Sequence, residues 1–442
     1  MVVMNSLIKE ITMGPFGSDI KVDNFIDDGV PVLNGSNLSG VKLSENSFKY
    51  ISIEKAKSLK KANTKRGDIV ITHRGTLGQI SYIPSNSKFE NYIISQSQFR
   101  VTLKTELVDP VYFTYYFHSA EGQKRLLSFK NHVGVPALAQ ATSNFRLLEF
   151  PYIELGVQRK IAKVLSDLDS KIELNNKINA ELEGMAKLIY EYWFVQFDFP
   201  FDFASTTLST DAQGKPADDS SNPKDVKPYK SSGGKMVWNK ELKREIPEGW
   251  EVKELKKIAT TGSGGTPLST RQEYYKNGNI PWINSGEVNQ PFIVKAEKFI
   301  TEAGLNNSSA KIFRKGTILM AMYGATAGKV SMIDIEAGTN QAICGINPIH
   351  NYYDTFIKIG LEDLYKYLVN LSSGSARDNL SQDIIRELKF IIPSEELLKR
   401  FHHKVSPSML KILMNLKENE SLSNLRDWLL PMLMNGQVKV NN

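Results

Sequence analysis

The sequence has little of what defines several common protein classes. Its 442 residues include a single cysteine, Cys344, which excludes an internal disulfide framework and a cysteine-based metal cluster. No apolar run reaches the roughly 18 residues of a membrane-spanning helix. The N-terminus lacks the basic and apolar regions of a signal peptide. These absences favour a soluble protein of the reducing cytoplasm, with no membrane partner.

Composition and charge narrow the choice further. Hydrophobic residues make up 41% and charged residues 23% of the chain, which is typical of a globular protein. The length predicts two or three domains. The net charge of +7 favours a polyanionic partner such as nucleic acid. Charge alone does not decide this, because many basic proteins bind no nucleic acid.

The chain contains an internal duplication. "KRGDIVITHRGTLGQISYI" (Lys65–Ile83) returns as "RKGTILMAMYGATAGKVSMI" (Arg314–Ile333), each with a basic-Gly start, an apolar strand, a Gly-rich turn and a second strand. Other block pairs keep the same order: Met13–Lys21 with Thr261–Ser269, Val30–Leu38 with Ile280–Val288, and Ser95–Val101 with Thr339–Ile346. Because their intervals stay between about 244 and 250 residues, the two halves form a tandem repeat.

Each copy is expected to end in a long helix. A proline-marked strand, Leu147–Ile153 or Leu388–Ser394, precedes it. The helices are predicted at roughly Gly156 to Phe194 and roughly Glu395 to Met434. Their apolar residues alternate at spacings of four and three, a heptad seam that requires a partner helix. Pro407 removes a backbone donor and is expected to kink or restart the second helix.

Two asparagines interrupt the seam at the same places in both helices. Asn175 and Asn179 recur after 240 residues as Asn415 and Asn419. An antiparallel register in which facing residue numbers add to 594 pairs Asn175 with Asn419 and Asn179 with Asn415. Other registers would leave buried amides opposite apolar residues, at ~1–3 kcal/mol each. We therefore expect the asparagines to fix register and orientation; the alternative is a seam whose middle is open to water.

The order of motifs resembles that of the specificity subunits of type I restriction–modification systems. The resemblance covers nearly the whole chain and depends on the duplication together with "GPFGS", "RGTLGQ", "QRKIAKVLS" (Gln158–Ser166), "YWF" (Tyr192–Phe194) and "IPEGWEV" (Ile246–Val252). The first copy departs from it by lacking "IPEGW". The resemblance implies an α+β fold. Two α/β target recognition domains are separated by two long antiparallel helices that form a coiled-coil-like spacer, duplicated with pseudo-twofold symmetry.

The resemblance also implies a division of the chain and a function. The implied segments are 1–150, target recognition domain 1; 151–195, a central helix; 196–245, a linker; 246–393, target recognition domain 2; and 394–436, a distal helix. Within the linker, Ser205–Lys235 is rich in Ser, Asp, Pro, Gly and Lys, which predicts an exposed connector.

In the implied function, each recognition domain reads one half of a bipartite site in double-stranded DNA. The helices dock two DNA methyltransferase subunits, through which restriction and translocase subunits associate. The chain itself is non-catalytic and binds no cofactor or metal, whereas S-adenosylmethionine and ATP belong to the partner subunits.

The candidate DNA-binding residues lie in polar loops shared by the two copies. Glycine-rich turns let the backbone approach DNA closely, and Arg suits guanine edges while Gln suits adenine. The candidates are Asn34, Ser36, Asn37, His73, Arg74, Thr76 and Gln79 in the first copy, and Asn284, Ser285, Tyr323, Thr326, Lys329 and Arg377 in the second. The alternative is that they are ordinary turn residues that cap strands.

Two other functions remain in competition. A coiled-coil scaffold with α/β heads would bind DNA without sequence preference, through a salt-dependent phosphate contribution alone. A DNA-cutting or DNA-modifying enzyme is disfavoured by the sequence. "YGATAGKV" (Tyr323–Val330) lacks the spacing and the Ser or Thr of a P-loop, and "INPIH" (Ile346–His350) is not the Asn-Pro-Pro-aromatic motif of amino-methyltransferases.

Overall fold

The structure is a computed structural model that describes residues 1–131, 136–202, 226–365, 368 and 380–440. The chain divides into two compact units. Unit 1 comprises Met1–Glu173 and Glu420–Asn442, and unit 2 comprises Leu174–Asn419. The division falls inside both long helices, so each unit contains one recognition domain and half of each helix.

Unit 1 contains two sheets and several short helices. An antiparallel four-stranded sheet has the spatial order Ile8–Met13, Gln98–Leu103, Ile69–Thr72 and Ile80–Tyr82. A mixed five-stranded sheet has the order Phe25–Ile26, Lys49–Ile51, Val30–Val32, Asn91–Ile93 and Asn63–Lys65. The α-helices are Ile53–Ser58, Pro110–His118, Ala120–Leu126 and Ala141–Leu147.

The "IVIT" strand of unit 1 shows why these sheets stack. Ile69 and Ile71 pack into the cluster formed with helix Pro110–His118, while Val70 packs into the cluster of the five-stranded sheet. Successive side chains of a strand point to opposite faces, so a continuous apolar run needs cover on both sides. The helix begins where the Asp109 side chain accepts hydrogen bonds from two backbone amides of the first turn, with proline at the first position.

Unit 2 repeats this arrangement. Its first sheet has the order Ala259–Ser263, Ile343–Pro348, Ile318–Ala321, Val330–Ile333 and Phe292–Ile293, and its second has the order Lys298–Ile300, Ile280–Ile283, Ala337–Thr339 and Ile312–Phe313. The α-helices are Glu302–Asn306, Asp354–Asp363 and Gln382–Arg386. The first four strands of its first sheet correspond in order to those of unit 1. The predicted duplicated α+β fold is therefore confirmed.

Both long helices form close to their predicted bounds. The central helix is Leu155–Tyr190, followed by a π-helical turn at Glu191–Val195, and the distal helix is Glu395–Met434. Pro407 does not restart the distal helix, which runs as one 40-residue element. Its neighbours Val405, Met409 and Ile412 are buried in the core of unit 2, and this packing holds the helix where proline removes one hydrogen bond.

Residues 226–235 differ from the exposed connector expected over Ser205–Lys235. Strand Val226–Pro228 pairs with Pro200–Asp202, and Tyr229 is buried with its ring 4.6 Å from that of Phe199. The polar composition of this stretch gave no indication that Tyr229 would be buried. The rest of the predicted connector up to residue 225 lies outside the described residues.

Two further observations complete the fold. The sole cysteine, Cys344, is fully buried in strand Ile343–Pro348, and its burial raises the pKa of the thiol to about 12. None of the helices in the described ranges has the length and apolarity that crossing a membrane requires.

Candidate nucleic-acid interface and helix seam

The glycine-rich turns of both units contain two left-handed glycines, three residues apart in unit 1 and four apart in unit 2. Gly75 and Gly78 have φ values of +86° and +85°, and Gly324 and Gly328 have values of +88° and +80°. This left-handed region favours glycine, because a Cβ atom makes it strained. Each turn joins two neighbouring antiparallel strands of its sheet. The sequence repeat therefore places a glycine-rich turn at the same strand connection in both units, with different side chains.

In unit 1, the side chains of this turn fall into two groups. Arg74 and Thr76 are exposed, and Gln79 is half-buried and accepts a hydrogen bond from the Thr72 hydroxyl at 3.3 Å. His73 is buried, with Nε2 3.1 Å from the carbonyl oxygen of Gln96. Burial lowers the pKa of His73, so a neutral ring supports the turn from inside. His73 also lines the groove beside this turn, and its contact with DNA stays a prediction.

The second polar loop of unit 1 also separates into surface and buried residues. Asn34 and Ser36 are exposed, and the Asn34 side chain accepts from the Ser36 amide at 2.8 Å. Asn37 is fully buried, and its Nδ2 donates to the carbonyl oxygens of Ser44 and Asn46 at 3.0 Å each. Because both amide hydrogens are bound within the loop, Asn37 cannot donate to a base. The structure therefore gives Asn37 a role inside the loop in place of the predicted contact with DNA.

In unit 2, two predicted loops touch each other. The Thr326 hydroxyl donates to the carbonyl oxygen of Ser285 at 2.7 Å. The backbone amide of Asn284 donates to a side-chain oxygen of Glu287 at 2.7 Å, and this hydrogen bond closes the loop. Lys329 is exposed, and Tyr323 is half-buried against the core. The last candidate, Arg377, lies outside the described residues.

A groove beside the turn of unit 1 was not predicted from the sequence. It has a volume of about 890 Å³ and is lined by the loop from Met13 to Gly17, by Lys60 and Lys61, and by Arg74. The available signal was the glycine-containing stretch "GPFGS", which has "GSGGTP" in its place in the second copy. The groove brings three cationic side chains together with an apolar loop.

The helix seam of unit 2 contains the four asparagines in the predicted pairs. Asn175 Nδ2 donates to Asn419 Oδ1 at 2.9 Å, and Asn415 Nδ2 donates to Asn179 Oδ1 at 2.8 Å. All four side chains are buried, at 0–9% exposure. The alternative of a seam open to water is therefore wrong at these positions.

Two neighbours of the asparagines extend this polar layer. Asn175 Nδ2 also donates to a side-chain oxygen of Glu418 at 2.8 Å, and Asn419 Nδ2 donates to Asn176 Oδ1 at 2.8 Å. Asn176 and Glu418 do not belong to the heptad seam, so the apolar periodicity gave no sign of them. The amides are thus held from the flank as well as across the seam.

An ionic contact joins the recognition domain of unit 1 to its helices. The antiparallel register in which facing residue numbers add to 594 places Arg426 opposite Leu168, an unfavourable pair. The Arg426 side chain instead reaches Asp169, with Nη1 2.7 Å from Asp169 Oδ1. The hydroxyl of Tyr115, on helix Pro110–His118, donates to the other oxygen of Asp169. Burial and this hydrogen bond raise the pKa of Tyr115. One carboxylate thereby binds both helices and the recognition domain.

Unit 2 makes the corresponding connection with different residues. The Asp334 carboxylate is almost fully buried and lies 2.7 Å from Nζ of Lys315, and its other oxygen pairs with Lys417 of the distal helix. Burial alone would raise the pKa of Asp334, but the two lysines outweigh it and lower the pKa. Asp334 therefore stays ionised and links its strand to the helix.

Comparisons with known proteins identify the family. A family model described as the type I restriction modification DNA specificity domain matches residues 17–184 and again residues 247–418. The chain belongs to the type I specificity subunits. Such a subunit is the non-catalytic DNA-recognition component of its restriction–modification system.

Named relatives agree with this assignment. The specificity subunit is 28% identical over 427 residues to the HindI type I restriction enzyme specificity subunit of Haemophilus influenzae, covering 89% of this chain and 92% of the relative. It is 26% identical over 378 residues to the MjaIX specificity subunit of Methanocaldococcus jannaschii, covering 85% and 78%. Among solved structures, a type I system S subunit from M. genitalium aligns with a TM-score of 0.56 at 19% identity, over 98% of this chain and 95% of that chain. At that identity the likeness shows a shared fold.

The helices of the specificity subunit also carry exposed apolar residues in a repeated pattern. Met185, Leu188 and Tyr192 are 40–63% exposed and follow one another at intervals of three and four residues, the spacing of one helix face. After the same 240-residue interval that relates the asparagines, Leu425 and Trp428 are 42% and 55% exposed. Each long helix thus presents an equivalent apolar stripe away from the seam.

Proposed function

We propose that this specificity subunit reads a split sequence in double-stranded DNA, with one half-site for each recognition domain. The observation that supports this most directly is the pair of glycine-rich turns. Each turn has two left-handed glycines, while "HRGTLGQ" and "MYGATAGK" differ in length by one residue and in the side chains they present. Two readers of different half-sites need one framework with different contact residues.

The residues proposed to contact DNA are those that the loops leave accessible. Arg74 can donate two hydrogen bonds to a guanine edge, and Gln79 suits adenine. Lys329 suits a phosphate. The other proposed contacts are Asn34, Ser36 and Thr76 in unit 1, and Asn284, Ser285, Tyr323 and Thr326 in unit 2. Arg377, which lies outside the described residues, is proposed from the sequence alone.

The helix pair is proposed to set the distance between the readers. A slip of one heptad would move one helix along the other by about 10 Å, which is about three base pairs of duplex. The hydrogen-bonded asparagines oppose such a slip, because any other register leaves buried amides unpaired. Their role is then to fix the spacer length of the recognised sequence.

The two apolar stripes support the docking of two methyltransferase subunits, one on each helix. Equivalent surfaces generated by a duplication suit two copies of one partner, and exposed apolar patches mark interaction sites. S-adenosylmethionine and ATP would then be bound by the partners, with restriction and translocase subunits joining through the methyltransferases. The complex is proposed to act in the cytoplasm, which suits a chain with one buried thiol.

Co-expression with the cognate methyltransferase subunit tests the proposal. Sequencing of methylated bases in such cells should show a split, asymmetric motif. Exchanging residues 1–150 for those of another specificity subunit should change one half of that motif and leave the other half and the spacer unchanged. The absence of any motif, or a change in both halves, would contradict the proposal. A scaffold without sequence preference would bind the motif and unrelated duplexes with equal affinity, and that affinity would fall as the salt concentration rises.

A further inference from the structure

Each recognition domain presents one large apolar side chain at the tip of the loop that follows its first long strand. In unit 1, strand Ile8–Met13 leads into a loop where Phe16 is 83% exposed. In unit 2, strand Ala259–Ser263 leads into a loop where Leu268 is 59% exposed. An exposed phenylalanine loses the favourable free energy of burial, so its presentation in water requires an explanation.

The two residues occupy the same position in equivalent turns. The Asp19 amide donates to the Phe16 carbonyl at 2.9 Å, and the Arg271 amide donates to the Leu268 carbonyl at 3.0 Å. Each residue is therefore the first of a closed four-residue turn. In unit 1 the Phe16 amide also donates to a carboxylate oxygen of Asp19 at 2.9 Å. Both loops thus present an apolar side chain at the first position of a closed turn.

Close packing at the base of each loop holds the tips outward. The Gly14 amide donates to the Gln98 carbonyl at 2.8 Å, and a Cβ atom at Gly14 would lie 2.0 Å from the Ser95 carbonyl oxygen. In unit 2, a Cβ atom at Gly264 would lie 2.1 Å from the Thr339 hydroxyl. Because the backbone is pressed against the neighbouring strand in both units, the loops are fixed in place.

The surroundings of Phe16 indicate what it contacts. It lines the groove that also contains Lys60, Lys61 and Arg74, and all three cationic residues are exposed. Lysine and arginine bind the phosphates of DNA, and an exposed aromatic ring in the same groove can stack on a base. Proteins that bend DNA insert phenylalanine or leucine between base steps in this way.

We propose that Phe16 and Leu268 are wedges that insert between neighbouring base pairs, one in each half-site. This rests on the proposed function. Each wedge unstacks one base step and kinks the duplex there. Since pyrimidine–purine steps unstack most easily, the wedges would add a preference for a deformable step at positions where no hydrogen bond reads a base.

The test uses the complex co-expressed with its methyltransferase subunits and duplexes carrying the motif that methylated-base sequencing defines. 2-Aminopurine is placed in turn at each purine of the half-site read by unit 1, except the methylated adenine. We expect fluorescence to rise at one step with wild-type protein and to stay low with Phe16→Ala. Phe16→Ala should weaken binding by about tenfold or more, as loss of base stacking on a ring does, and Phe16→Leu should retain most of both signals.

Leu147→Ala is the matched control, because Leu147 is 68% exposed in the same unit but does not line the groove. Its affinity and fluorescence should equal those of wild type. Unchanged affinity of Phe16→Ala, or 2-aminopurine that stays stacked at every step, would overturn the wedge. So would loss of the methyltransferase subunits from the Phe16→Ala complex, since that would assign Phe16 to a protein contact. If no split motif is found at all, the proposed function fails instead.

Discussion

Replacing Asn415 by leucine tests the energetic role of the asparagine layer. Asn415 and Asn179 are 1% and 4% exposed and hydrogen-bond each other at 2.8 Å. Leucine at 415 removes that bond and leaves the buried Asn179 amide opposite an apolar side chain. A lost hydrogen bond and an unpaired buried amide together cost about 1–3 kcal/mol. We therefore expect Asn415→Leu and Asn179→Leu each to lower the free energy of unfolding by this amount.

The double variant distinguishes pairing from simple loss of a residue. With leucine at both positions no amide remains unpaired, so the free energy of unfolding should return to within about 1 kcal/mol of wild type or exceed it, since replacing both partners by apolar groups is close to neutral. The measurement is urea unfolding of the full chain followed by far-UV circular dichroism, compared through midpoints at constant slope. The cycle should give a coupling free energy of about 1–3 kcal/mol.

Asn424→Leu is the control for this cycle, because Asn424 is an exposed asparagine of the same distal helix. It should shift the urea midpoint very little. Single-variant losses that simply add in the double variant would refute the pairing. The double variant should keep its spacer length, because the hydrogen bond from Asn175 to Asn419 still holds the register.

Three further outcomes follow from other contacts. Asp169→Asn should reduce the free energy of unfolding of unit 1 by about 2 kcal/mol, since a hydrogen bond between charged groups is weakened; the losses of Asp169→Asn and Arg426→Ala should be less than additive in the double variant. Asp334 has a lowered pKa, so its stabilisation is complete above the unfolded value of about 4 and is lost as pH falls through the lowered pKa. The stability difference between wild type and Asp334→Asn should therefore shrink between about pH 5 and pH 2. Gly14→Ala should abolish binding to the motif because its Cβ would lie 2.0 Å from a backbone oxygen, whereas Gly286→Ala, with open space around it, should fold and bind.

The duplication and the long helices were predictable because both depend on short-range periodicity. The distal helix has the predicted bounds, and the central helix begins one residue from the predicted start. The asparagine pairs followed from one added assumption, an antiparallel register, because equal intervals in two helices determine their partners.

Burial of polar loop residues was not predictable, since it depends on contacts distant in the chain. Asn37 is bound by carbonyls seven and nine residues away, and His73 by one 23 residues away. The register gave Arg426 only an apolar facing residue, Leu168, and did not predict that its long side chain reaches Asp169. Loop composition marks the region of the interface, but the fold decides which members face outward.

The buried thiol of Cys344 makes this chain suitable for site-specific labelling. With a pKa raised to about 12, it holds almost no thiolate at neutral pH, and the thiolate is the reactive form. If one cysteine were introduced at an exposed loop of each unit, these two would be the only sites to react with a maleimide dye. Cys344 could be left in place. Energy transfer between two such dyes would measure the distance between the recognition domains in solution, with and without DNA.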